Sequence, residues 1–94
     1  NKQQADNICK YVGHTDCVRG LALNPHNNQE FFSCSNDGNV IQWRLGQPTP
    51  IRQIHVTDSF LYSINMLNPE QSSSNECYFV TSSEDRSVRV HRSS

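Results

Sequence analysis

Two stretches of this 94-residue chain repeat each other, and that repetition constrains the fold more than any other feature. "VRGLALNP" (18–25) aligns with "LYSINMLNP" (61–69): Val18 falls on Leu61, Gly20 on Ser63 and Leu21 on Ile64, an offset of 43. "FFSCSNDGNVIQW" (31–43) aligns with "FVTSSEDRSVRVH" (79–91): Phe31 falls on Phe79, Ser33 on Thr81, Asp37 on Asp85 and Val40 on Val88, an offset of 48. The five added residues lie around "EQSSSNEC", a polar stretch where a loop lengthens with little entropic penalty. A unit of this length used twice is a repeat architecture, in which each copy buries its apolar surface against the next.

Each copy divides into short strands separated by turns. The pattern predicts strands over 18–23, 31–35, 39–45 and 51–56 in the first copy, and over 61–67, 78–82 and 88–92 in the second. Asn36-Asp37-Gly38 has the chemistry of a hairpin turn. "GQPTP" (46–50) reads as a loop, with Pro50 opening the next strand, where its missing N–H is tolerated. "ICKYV" (8–12) reads as an isolated strand ahead of the first copy, and no helical period appears. Four short strands per copy is the signature of a propeller blade. The expectation is an all-β propeller fragment: the outer strand of a preceding blade over 8–12, a complete four-stranded blade over 13–56, and most of a second over 57–92 whose last strand is missing.

Composition fits that reading. Only 34% of the residues are hydrophobic, low for a free-standing domain of this size. A blade whose faces are covered by neighbouring blades explains the deficit, so the chain reads as part of a larger ring that leaves sheet faces and edges open when alone. The net charge of −1 gives no basic excess for nucleic acid. No run of eighteen apolar residues is present to span a membrane, and no basic n-region opens the chain. Cys9, Cys17, Cys34 and Cys77 form no C-x-x-C pair and have no histidine at zinc spacing, so they read as reduced thiols. With no N-x-S/T sequon, this points to the cytoplasm or the nucleus.

Gly13-His14, the Asp37-Gly38 turn and Trp43 sit at the spacing of WD40 repeats, which the chain resembles. Arg44 stands where that family usually has Asp. The resemblance implies a hydrogen-bonded tetrad of His14, Ser33, Asp37 and Trp43. The chemistry suits it: a buried indole N–H needs an acceptor, a serine hydroxyl accepts and passes a donor on, and a turn aspartate accepts from imidazole and backbone. In the second copy Ile54 replaces the glycine, and the equivalents are His55, Thr81, Asp85 and His91, a set expected to hold more loosely.

"GHTDCVRGLA", "SCSND" and "FVTSSEDRSVRV" together resemble the WD40 domain of the phospholipase A(2)-activating protein family, over about residues 8 to 92. The departures are "NPHNNQE", "EQSSSNEC" and His91. The resemblance implies a seven-bladed, ubiquitin-binding propeller in an adaptor for ubiquitin-dependent turnover or sorting. It also implies that the AAA ATPase valosin-containing protein is contacted through domains outside this chain. A WD40 scaffold of another pathway is the alternative, since one fold hosts many functions.

His14, Ser33 and Asp37 carry the letters of a catalytic triad, but no strained nucleophile turn of the G-x-S-x-G kind is present. No glycine-rich phosphate loop appears, and His14 and His55 lack a third ligand at useful spacing, so no cofactor, metal or enzymatic activity is expected. A binding rim is the better candidate. The loop before each first strand and the aspartate turn share one end of a blade, which places Thr15, Cys17 and Asn36 there from the first copy, and Asp58, Phe60 and Glu84 from the second. Phe60 either anchors a partner or tucks between blades.

Overall fold

The computed structural model describes residues 6, 9–67 and 77–93. Seven strands follow in order: β1 (Val18–Leu23), β2 (Glu30–Ser35), β3 (Asn39–Arg44), β4 (Gln47–His55), β5 (Leu61–Leu67), β6 (Cys77–Ser83) and β7 (Val88–Ser93). They form two antiparallel meanders, one of four strands in the order β1-β2-β3-β4 and one of three in the order β5-β6-β7. No helix occurs among the described residues.

The alternation of side chains along each strand explains the stacking. On β2, Phe32 and Cys34 point to one face and Phe31 and Ser33 to the other. The first face meets the second sheet: Phe32, Cys34 and Val40 pack with Leu61, Ile64, Cys77 and Phe79 in one buried cluster. The rings of Phe32 and Phe79 lie 5.7 Å apart across this junction. Both are fully buried. Gly20 permits the close approach of β1 to β5, since a Cβ there would lie 3.1 Å from Cys34 Sγ and 3.4 Å from the Ile64 nitrogen. The opposite faces of the two sheets remain open. Leu21 and Leu23 are 67% and 78% exposed on one, and Val88 and Val90 are 71% and 65% exposed on the other.

Two expectations are corrected. Residues 9–12 form no strand, and Ile8 lies outside the described residues. This stretch instead caps the first sheet: Tyr11 sits edge-on to Phe31 at 5.1 Å and to Trp43 at 5.3 Å. Its hydroxyl accepts the Gly46 N–H at 3.0 Å, which ties the segment across the sheet rather than along it. The second correction concerns "GQPTP". β3 turns back at Leu45-Gly46, with Gly46 at φ +82°, and β4 begins at once with Gln47. Pairing then skips from Arg44↔Gln47 to Gln42↔Arg52. Pro48 and Pro50 fall inside that gap, where an edge strand has no rung for their missing N–H groups to break. The "EQSSSNEC" insertion lies outside the described residues up to Asn75 and Glu76, and Cys77 opens β6.

Candidate functional site

The loop before β1, the β2–β3 turn, the loop before β5 and the β6–β7 turn all lie at one end of the two meanders. A chain of polar groups braces each unit at this end.

In the first sheet, Trp43 Nε1–H donates to Ser33 Oγ at 2.8 Å. Ser33 Oγ lies 2.6 Å from His14 Nε2, and His14 Nδ1 lies 3.0 Å from Asp37 Oδ2. Since Ser33 already accepts from the indole, its hydroxyl proton goes to Nε2, which leaves the Nδ1–H of His14 for Asp37. Asp37 also accepts the backbone N–H of Thr15 at 3.0 Å and of Asn39 at 2.9 Å. Burial pushes the Asp37 carboxyl up, but the two N–H groups and the His14 ring outweigh it and hold the pKa below the ordinary carboxylate value. With Ser33 only 2% exposed and its hydroxyl held on both sides, it has no approach path as a nucleophile.

The second sheet is braced differently, and His55 is a correction. β4 continues through His55, which pairs with Asn39. Its ring therefore bonds Asn39 Oδ1 at 2.8 Å and Asp58 Oδ1 at 2.9 Å, exposed and away from Thr81 and Asp85. The linking turn starts two residues later. Thr57 Oγ1 reaches Asp85 Oδ2 at 3.5 Å, and Arg89 holds the same carboxylate at 2.8 Å while donating to Ser83 Oγ at 3.0 Å. Arg89 and Ser83 are the main reasons the Asp85 carboxyl is held well below its ordinary value. His91 stacks on Phe79 at 4.8 Å and lies 3.4 Å from Thr81 Oγ1. Burial, then the nearby Arg89 charge, lowers its pKa. A signal for Thr57 was present: the 43-residue offset that sets Val18 on Leu61 also sets His14 on Thr57. Likewise the 48-residue offset sets Arg89 on Ile41, a fully buried residue of β3.

The candidate rim residues fall as follows. The Cys17 carbonyl accepts the Asn36 N–H at 2.9 Å, and the Phe60 carbonyl accepts the Glu84 N–H at 2.9 Å. Thr15 is spent on Asp37 through its backbone, and Asp58 on His55. Phe60 is 39% exposed. Two rim residues escape sequence reasoning: Arg19, whose Nε–H donates to Asn36 Oδ1 at 2.9 Å, and Tyr62, whose hydroxyl donates to Glu84 Oε2 at 3.3 Å. Both sit inside predicted strands, where a rim position is not expected.

Two blades of an antiparallel propeller, each tied at one end by a turn aspartate, define a repeat protein of the propeller class. The WD domain, G-beta repeat family matches residues 6–44 and 48–92, and the chain belongs to this WD40 family. Over its full length it is 29% identical to ribosome biogenesis protein YTM1 of Scheffersomyces stipitis, of which it spans 20%. Over 84% of its length it is 32% identical to ubiquitin homeostasis protein lub1 of Schizosaccharomyces pombe, of which it spans 10%. The crystal structure of the computationally designed Ika4 protein superimposes on 93% of the chain with a TM-score of 0.66 at 16% identity, covering 48% of that chain. That likeness carries the fold alone. The chain thus spans a fifth or less of the length of YTM1 and of lub1.

Proposed function

We propose that these two blades are a non-catalytic module that presents a rim for a protein partner within a longer adaptor of ubiquitin-dependent turnover or sorting. The observation that carries the reading is the rim itself. The tetrad and its second-blade counterpart turn their polar groups inward, while Phe60 stays partly on solvent beside Asp58 and Glu84. An aromatic anchor flanked by carboxylates suits the apolar patch of ubiquitin with its basic surround. The likeness to lub1 over 84% of the chain supports this direction, as does the resemblance to the phospholipase A(2)-activating protein family. The valosin-containing ATPase would be reached through other domains, and the place of action is the cytoplasm or nucleus. The test is ubiquitin pull-down by the whole protein carrying these blades. Phe60→Ala and Glu84→Lys are each expected to weaken capture, and unchanged capture by both variants removes these blades from the contact.

A second reading has its own support. The likeness to YTM1 extends over the whole chain, which favours a scaffold in ribosome biogenesis. Co-sedimentation of the protein with pre-ribosomal particles, and failure to retain ubiquitin, would select it.

A further inference from the structure

Both blades carry the same irregularity at the same place. In β1–β2 the pairing steps from Val18↔Ser35 to Gly20↔Cys34, which leaves Arg19 as an extra, unpaired residue. In β5–β6 it steps from Leu61↔Ser83 to Ser63↔Ser82, which leaves Tyr62 unpaired. A bulge of this kind re-aims one side chain and disturbs the ladder only locally. Here each bulged residue reaches the residue just before the turn aspartate: Arg19 to Asn36, and Tyr62 to Glu84. The two sit side by side, because a Cβ on Gly20 would lie 3.5 Å from Ser63 Cα. Burial and the Glu84 charge raise the Tyr62 phenol and the Arg19 charge pulls the other way, so the three groups share one field.

We infer that Arg19 and Tyr62 form a selective subsite on the rim for a linear protein segment that carries an acidic side chain beside a bulky apolar one. The inference rests on the rim being a partner surface, and it adds which partner chemistry the rim selects. Arg19 is exposed, and its hydrogen-bond partner is the neutral amide of Asn36, so its charge is not cancelled by that contact. A planar guanidinium then favours a carboxylate, which it can bind through two N–H groups. Glu84 is engaged by the Tyr62 hydroxyl, which holds the ring upright, and Tyr62 (48% exposed) and Phe60 together offer the apolar seat. A side-chain carboxylate fits better than a phosphate. Asp16, Asp58 and Glu84 share this end of the blades with Arg19 and Arg86, so a doubly charged group meets more repulsion than attraction.

The experiment uses the full protein carrying these blades and two labelled peptides that differ at one position, Asp or Lys beside a Leu-Phe pair. Fluorescence polarisation should show roughly tenfold tighter binding of the Asp peptide. Arg19→Glu should reverse the preference, and Tyr62→Ala should weaken both peptides. Neither substitution removes a rung of the ladder, and unchanged melting temperatures confirm that the fold is intact. Equal binding of the two peptides, binding of neither, or a preference that survives Arg19→Glu overturns the inference. If Phe60→Ala still abolishes ubiquitin capture in that case, the rim remains a partner surface and only its charge selectivity is lost. If Phe60→Ala and Glu84→Lys leave capture intact, the reading of the rim fails.

Discussion

The carbonyl oxygen of Gly38 accepts the N–H groups of both Val56 and Thr57, at 2.9 and 3.2 Å, so the hairpin turn of the first blade fixes where the link to the second begins. The fit leaves no room: a Cβ on Gly38 would lie 1.8 Å from the Thr57 carbonyl oxygen.

Gly38→Ala is therefore expected to be among the most damaging single changes. It combines a left-handed backbone, at φ +80°, with a collision that must break the two hydrogen bonds to the linker. The left-handed conformation costs about 1–2 kcal/mol and each lost hydrogen bond about 1 kcal/mol, which sums to roughly 3 kcal/mol. The second blade offers the control. Arg86 holds the matching turn position at φ +72°. Arg86→Gly relieves about 1–2 kcal/mol of strain against about 0.5–1 kcal/mol of added chain entropy, for a net gain of under about 1 kcal/mol. Urea unfolding of both variants checks the contrast.

Asp37→Ala leaves the Thr15 and Asn39 N–H groups and the His14 ring without their acceptor. A loss of about 1.5–3 kcal/mol is expected. Trp43, the only tryptophan, reports the transition by fluorescence. Combined with His14→Ala, the losses should fall short of additive by about 1 kcal/mol, because the second substitution removes a contact already broken. Strict additivity would show that the two side chains do not act together.

Acid should unfold the protein in two stages. His91 has a lowered pKa in the folded state, so its contribution is complete above its ordinary value of 6.5 and is lost as pH falls below it. Asp37 and Asp85 are also lowered, so theirs persists above the ordinary aspartate value of 3.8 and is lost as pH falls further. Melting temperature against pH should decline first near pH 6 and again below about pH 4. His91→Gln should flatten the upper step and leave the lower one.

The cysteines should separate by reactivity. Burial, and then the Asp37 charge, push the Cys34 thiol up to about 11, against one backbone hydrogen bond that lowers it. Cys77 is raised too, burial first, and both are buried, whereas Cys17 is exposed. A maleimide should label Cys17 in the native protein and reach Cys34 and Cys77 only in denaturant. Fast native labelling of Cys34 would contradict the packing of the two sheets.

Much of this was legible in the residues. The ends of β1 and β5 agree with the predicted strands, because Asn24-Pro25 and Asn68-Pro69 punctuate them and their apolar residues recur at one offset. The first-blade chain from Trp43 to Asp37 was readable because each group has a single chemical need that the next one meets. His55 misled because it is a histidine near a turn, whereas strand pairing with Asn39 had already claimed it. β4 was hidden by prolines that forbid an interior strand but not an edge, and 9–12 by apolar residues that serve as a lid. Arg19 and Tyr62 were invisible because a bulge is a matter of pairing register between distant segments, which no local pattern records.

Since Arg19 and Tyr62 each stand outside the rungs, natural variation at these two positions can redraw the surface a visitor meets without loosening the frame beneath. Recognition and architecture are written in separate letters of the same strand, so each repeat is free to acquire a taste of its own.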